Sequence, residues 1–464
     1  MNASNPSKVS LPVLWAMVVG SMVGAGIYSL PRNFSAATGP AGAALSWCIA
    51  GGGMYLLARV IQYLADVRPD LDSGIFAYAR AGFGDYAGFV SAFGYWMAGC
   101  FGNVSYWVLI KSTLGAFFPI FGDGNTLVAI AVSSVGIWGF HWMLLRGVQQ
   151  ATMINAIITV IKVLPIIAFI GILSFHIDAD VFATNWVTSH ESLSTQVSAT
   201  MLVTVFVFLG IEGASVYSRH ARHRKDVGVA TLAGFAFVLL LLVLVTLLPF
   251  GLLARADIAA MRQPSMAAVF GVAVGPIGVG FISIALMLSV LGAYLAWSLI
   301  CAEVVYATAQ AGGLPKAFAR LNSKQLPANA IWLTSAVVQA FVISTYWSND
   351  AFSTMLRMTS TMALIPYLLV ALFGLKVILQ TTSDDNTHGS RTTRYVIAIG
   401  ATVYTAFLLY TCGVDLLLMA ALLYAPGSLL YVWARRQHGQ PMLSRREGCA
   451  FAFVMLCAGV ALLR

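Results

Sequence analysis

The run Gly20-Ser21-Met22-Val23-Gly24-Ala25-Gly26-Ile27-Tyr28, closing at Pro31, lies inside the first long apolar stretch of the chain. Three glycines in seven residues weaken a helix at the depth where lipid offers no water to backbone groups. Unsatisfied N–H and C=O groups are so costly there that a break persists only where it lines a cavity or binds something. Taken alone, the run also fits a close helix–helix contact of the small-residue type. A second stretch decides between the two. Phe206-Val207-Phe208-Leu209-Gly210-Ile211-Glu212-Gly213-Ala214-Ser215 is again glycine-flanked at mid-membrane, now with a carboxylate. Two interrupted spans five helices apart mark an inverted repeat, spans 1–5 against 6–10, and in such folds a ligand binds where the broken helices meet. The amide end of the second half of span 1 suits an amino-acid carboxylate, because its N–H groups are free and its dipole is positive. The freed carbonyls of both breaks suit an ammonium.

Working outward, apolar stretches fall near 11–31, 40–62, 84–118, 126–145, 151–175, 195–218, 228–253, 277–310, 328–347, 352–379, 394–412, 415–434 and 448–463, the last short enough to lie in the interface instead. A helix needs roughly 20 residues to cross the hydrocarbon core. The expected architecture is an all-α membrane protein of 12–13 transmembrane helices with broken helices 1 and 6. Residues 1–10 form a cytoplasmic N-terminus, 11–176 the first repeat, 195–379 the second, and 393–464 the C-terminal helices. Composition agrees: of 464 residues, 59% are hydrophobic and 9% charged, against about 25% charged in a soluble domain. No stretch remains for a separate soluble domain, which excludes a sensor with a soluble output.

The net charge of +9 does not indicate nucleic acid, because the cations sit in short clusters on alternate loops. Arg68 and Arg80, Arg146, the run SRHARHRKD (218–226), Lys316, Arg320 and Lys324, Arg391 and Arg394, and Arg435, Arg436, Arg445 and Arg446 share one side. Arg255 and Arg262 alone oppose the bias. The positive-inside rule then places the N-terminus in the cytoplasm of a bacterial cell, with the chain in the inner membrane. The run at 218–226 reads as a topology signal before a lipid or regulatory site. The apolar stretch after Lys8 has the look of a signal peptide, but the spans that follow make it a retained helix. Six scattered cysteines form neither a metal spacing nor a disulfide framework. With no Walker A loop, metal pattern or catalytic constellation in the spans, no cofactor, metal or enzymatic reaction is expected.

The stretches GSMVGAGIYSLP (20–31), GYWMAGCFGNVSYW (94–107), FLGIEGAS (208–215), GAYLAWS (292–298) and ALIPY (363–367), in that order over nearly the whole chain, resemble the amino acid–polyamine–organocation superfamily. Within it they are most similar to the basic amino acid/polyamine antiporter group, arginine/ornithine antiporters especially. The resemblance implies a secondary active transporter exchanging cationic amino acids by alternating access, arginine for ornithine first. The alternative is proton-coupled uptake of lysine, histidine or a polyamine, or amino acid/amine exchange with one of them. It implies substrate contacts at Met22, Gly24, Ala25 and Gly26 in span 1 and at Ala98, Gly99 and Asn103 in span 3. Phe206 and Leu209 in span 6, Trp297 in span 8 and Thr359 in span 10 complete that set. Tyr95, Glu212 and Tyr367 match gating positions, and a homodimer is compatible with the group. Two departures bear on the cargo. The arginine/agmatine branch has tryptophan where this chain has Phe206, a weaker cation–π face, and serine where it has Ala25.

Four ionisable groups stand at membrane depth: Lys111, Lys162, Glu212 and Glu303. Each is costly there and therefore a functional candidate. Glu212 is expected to gate, with Tyr95 and Tyr367 as partners. Lys162 resembles a lysine that stands in for a sodium ion in sodium-independent members, bridging carbonyls of span 1 and polar groups of span 8. Glu303 is expected to pair with Lys162 or line an inner vestibule, and an interfacial glutamate fits the position equally well. Lys111 would repel a cationic ligand and is expected to face water or another helix.

Overall fold

Every stretch expected to cross the bilayer is met by a helix in the computed structural model, which describes residues 10–71, 74–147, 152–187, 191–212, 224–348, 350–380 and 390–464. Among the described residues there is no strand. Nine described helices are long and apolar enough to cross a membrane, or eleven when two bent pairs each count as one span. The other two expected spans are Asp85–Phe117, which carries Asn103, Ser105, Lys111 and Thr113 in its buried face, and Leu193–Phe208, which stops at the second break. Residues 213–215 of that break, and the basic run up to His223, lie outside the described residues. Large apolar side chains such as Val135, Leu164 and Phe453 face outward, as they must where the solvent is lipid.

The chain divides into two compact units, Met1–Ala58 with Gln150–Ala293, and Arg59–Gln149 with Tyr294–Arg464. In the first, Leu11–Met22 packs on Arg224–Leu247 and Thr152–Ser174, while Leu30–Ala37 packs on Leu193–Phe208 and Arg255–Ala260. In the second, Asp85–Phe117 and Ala351–Gln380 form the central pair, with Arg391–Thr411 against the latter.

Two stretches read as plain loops contain helices. Ala179–Val187 lies between spans 5 and 6. Asn185 in it donates from Nδ2 to the carbonyls of Phe250 (2.6 Å) and Leu253 (2.9 Å) and accepts from the Arg255 N–H (2.8 Å). One side chain thus satisfies three backbone groups of the turn after span 7. Arg255, which opposes the charge bias, donates from Nε to the Ser35 carbonyl at 2.8 Å. Its cation therefore serves the C-terminal turn of Leu30–Ala37, where a positive charge is favoured. The second short helix, Ile75–Phe83, is capped by Lys376 Nζ on the Gly82 carbonyl (2.7 Å). Both are nine residues long, too short to announce themselves by apolar length.

The start of span 3 is bound to the end of span 12. The Asp85 carboxylate takes Arg80 Nε at 2.7 Å and an Arg435 guanidinium nitrogen at 2.8 Å. Arg435 also donates to Gln440 Oε1 and the Pro441 carbonyl. Glu447 accepts from the Tyr86 N–H through one oxygen and the Ser444 N–H through the other, at 2.9 Å each. The Arg435 side chain is 8% exposed and that of Arg80 44%. Arg435→Ala should therefore cost roughly 1–3 kcal/mol, as a buried charged hydrogen-bond donor does, and Arg80→Ala at most about 1 kcal/mol. Thermal unfolding in detergent measures both, and equal losses would contradict the clamp.

Candidate functional site

The first unit carries the break in span 1 and the end of the helix in span 6. Span 1 is helical over Leu11–Met22, extended at Val23 (φ −76°, ψ 92°) and Gly24 (φ −114°, ψ −159°), and resumes as a 3-10 turn at Ala25–Ser29 that leads into Leu30–Ala37. The two parts are bent by 48°. Because Gly24 and the residues after it leave the helical path, the carbonyls of Gly20, Ser21 and Met22 lose the donors four residues on. The N–H groups at the start of the 3-10 turn likewise have no helical acceptor. Met22, Ala25 and Gly26 are buried, and Gly24 is half-buried.

One freed carbonyl has found a cation. Lys162 Nζ lies 3.5 Å from the Gly20 oxygen, at the outer limit of a hydrogen bond, and the side chain is 5% exposed. A buried ammonium aimed at broken-helix backbone is the arrangement expected of Lys162, and the fold brings the two together across 142 residues of sequence.

Span 6 ends its helix at Phe208; Leu209 leaves the helical path (φ −55°, ψ 133°) and Gly210 adopts φ +104°. The Gly210 N–H donates to Glu212 Oε2 at 3.2 Å, so the carboxylate folds back onto the break that contains it. The breaks also meet each other. The Ser21 hydroxyl lies 2.7 Å from the Val18 carbonyl and 3.1 Å from the Gly210 carbonyl, and a Cβ on Gly210 would strike the Ser21 carbonyl. Gly26 lies against Phe206 and Val207, leaving no room for a side chain. Phe206, Leu209 and Glu212 are all buried. Ser21 was not singled out in the sequence; its signal was a hydroxyl inside the first break.

The second unit gathers another set. Tyr95 and Trp297 rings lie 5.9 Å apart at 46°. Gly99 sits under Trp297 and Cys301. Asn103 is fully buried and donates from Nδ2 to Ser298 Oγ at 3.3 Å, while its Oδ1 has no partner among the described residues. Ala98, Thr359 and Tyr367 are buried, with Thr359 Oγ1 donating to the Met355 carbonyl at 2.8 Å and its methyl facing Gly102. Ser298 and Cys301 are additions to the expected set, separated from Trp297 by one and four residues and so carried on the same stretch of span 8. Glu303, one turn further on, is exposed. Lys111 faces another helix, completely enclosed, with Nζ donating to Thr345 Oγ1 at 2.8 Å. No group of three or more His, Cys, Asp or Glu that could hold a metal occurs among the described residues.

Residues 10–432 match the family model described as amino acid permease. The chain is 44% identical to an arginine/ornithine antiporter of Pseudomonas aeruginosa, covering 99% of this chain and 98% of the relative. It is 37% identical to an L-lysine transport protein of Corynebacterium glutamicum, over 96% and 92% of the two chains. An arginine/agmatine antiporter of Chlamydia pneumoniae is also 37% identical, over 97% and 95%.

The crossing of the breaks leads to a mutational comparison. Gly210 and Gly275 both have positive φ, but a Cβ at Gly275 meets nothing. Gly210→Ala should destabilise by about 1–3 kcal/mol more than Gly275→Ala, the extra being the clash with Ser21. Thermal melts of the two variants decide it, and equal shifts would mean that the breaks do not constrain each other.

Proposed function

Because this chain belongs to the amino acid permease family, we propose that it is a secondary active transporter exchanging cationic amino acids by alternating access, with arginine and ornithine as the exchanged pair. The observation that carries this reading is end-to-end identity, 44% over 99% of the chain, with a relative named for that exchange. Its relatives are transporters, not enzymes. The second reading, lysine uptake, is favoured by the Corynebacterium relative.

In the proposed cycle the chain folds as a five-plus-five inverted repeat in the bacterial inner membrane, N-terminus in the cytoplasm, alone or as a homodimer. The cargo carboxylate is taken by the N–H groups of Gly24, Ala25 and Gly26, where the 3-10 turn begins and the dipole is positive. Carbonyls freed at Met22 and Leu209 accept its ammonium. For the cationic side chain, Trp297 in the second unit and Phe206 in the first each offer a cation–π face, and Ala98, Gly99, Asn103 and Thr359 are the further contacts proposed in the second unit. The unpartnered Oδ1 of Asn103 supports this role, since a buried acceptor without a donor costs about 1–3 kcal/mol and a guanidinium or ammonium N–H would recover it. Tyr95, Glu212 and Tyr367 gate, Glu212 by exchanging its Gly210 hydrogen bond for others as the cavity opens. Glu303 lines the inner vestibule.

Radiolabelled arginine uptake into proteoliposomes preloaded with ornithine should exceed uptake into empty vesicles by at least about tenfold, as expected where the loaded carrier reorients and the empty one does not. Preloading separately with lysine, histidine or cadaverine ranks the counter-substrates. Equal uptake into empty and loaded vesicles would replace exchange by uniport or symport.

Lys162 supplies the positive charge that the Gly20 carbonyl would otherwise need from a bound sodium ion. Exchange in choline buffer should equal exchange in sodium buffer. Lys162→Ala should lose most of it while remaining monodisperse, and Lys162→Arg should rescue poorly, because a planar guanidinium does not replace a compact ammonium. A sodium requirement in the wild type, or an active alanine variant, would end the surrogate role.

A further inference from the structure

Away from the groups assigned to transport, the adjoining ends of span 4 (Leu127–Leu145) and span 9 (Ala328–Ser344) carry a built surface. Both belong to the second unit. Val128, Val132, Val135, Gly139 and Trp142 recur at three- and four-residue spacing and are all exposed, forming one outward stripe. Gly139 interrupts it: a Cβ there would meet nothing within 4 Å, so a notch opens in the stripe one turn before Trp142. On span 9 Trp332, half exposed, is held by the His141 ring at 4.2 Å and the Trp138 ring at 5.3 Å. His141 is itself fixed by Nδ1 against Ser335 Oγ at 2.9 Å. The aromatic wall is therefore rigid, and it ends in two cations. The Arg146 guanidinium stacks on the Trp142 ring, 3.3 Å from the centroid, and Lys324 Nζ donates to the Arg146 carbonyl at 3.0 Å. Both cations are exposed, and neither has a carboxylate partner among the described residues.

We infer that this surface binds one anionic glycerophospholipid, its phosphate between Arg146 and Lys324 and an acyl chain in the Gly139 notch beside Trp142. The stacked guanidinium keeps its edge N–H groups for a phosphate, which planar forks bind bidentately. The ammonium retains two donors after bonding the carbonyl. Tryptophans at this level suit the boundary between headgroup and chain, and basic pockets between transmembrane helices recognise anionic headgroups. Charge selects the lipid and the notch fixes its position, so a zwitterionic lipid lacks the first and a free phosphate the second.

The test is fluorescence quenching of the purified full chain in detergent by dibrominated phosphatidylglycerol or dibrominated phosphatidylcholine. Phosphatidylglycerol should quench at a lower mole fraction, and the component quenched should vanish in Trp142→Phe. Arg146→Gln and Lys324→Gln should each reduce the preference about fivefold. Gly139→Leu, whose Cβ meets no neighbour, should fill the notch and weaken quenching by both lipids. Glycerol phosphate at millimolar concentration should not displace the brominated lipid. Equal quenching by the two lipids, selectivity surviving in the double Arg146/Lys324 variant, unchanged quenching in Gly139→Leu, or displacement by glycerol phosphate would each overturn the site.

Discussion

The first unit depends on how backbone groups released inside a bilayer are satisfied without water. Interrupting span 1 at Val23 and Gly24 strands carbonyls on one side and N–H groups on the other, each worth about 1–3 kcal/mol if left unmade. The fold answers with the other break and with a charge. Ser21 reaches the Gly210 carbonyl, Glu212 takes the Gly210 N–H, and Lys162 approaches the Gly20 carbonyl. Gly210, at positive φ and against the Ser21 carbonyl, has no room for a side chain in place of its hydrogen. The break in span 1 and the end of the span 6 helix are therefore held together at Ser21 and Gly210.

Lysine burial shows how context separates equal chemistry. Lys111 and Lys162 are both enclosed, yet one bonds a threonine hydroxyl in the 3-10 turn that ends span 9 and the other a carbonyl of a broken helix. A hydroxyl partner fixes a helix contact. A carbonyl without its helical donor has spare acceptor capacity, which an ammonium or a cargo amine can use. The same distinction marks Asn103, whose Ser298 bond occupies its donor and leaves its acceptor uncommitted.

Charges outside the spans follow a different logic. Arg255 and Asp85 are committed to fixed backbone or ion-pair partners, which explains why Arg255 violates the loop charge bias. Among the described residues Arg146 stacks on a ring and Lys324 bonds a carbonyl, neither meeting a carboxylate, and so both retain their attraction for an anion.

Much was legible in the sequence because the bilayer imposes a length and a solvent on every span. Thirteen apolar stretches announced thirteen helices, and glycines at mid-span announced the break in span 1 and the end of the helix in span 6. The types of group at those breaks, and the need of Lys162 for a partner, followed from the cost of polar groups in hydrocarbon. What tertiary structure alone decided was pairing: Ser21 with Gly210, Lys162 with Gly20, Lys111 with Thr345, Asn103 with Ser298. Each joins residues separated by more than a hundred positions, and neither hydropathy nor helical period carries information over that distance. The short helices Ile75–Phe83 and Ala179–Val187 were hidden for a related reason. Nine residues bury too little apolar surface to hold a helix alone, so their structure comes from the neighbours that cap and anchor them, Lys376 in one case and the turn around Phe250 in the other.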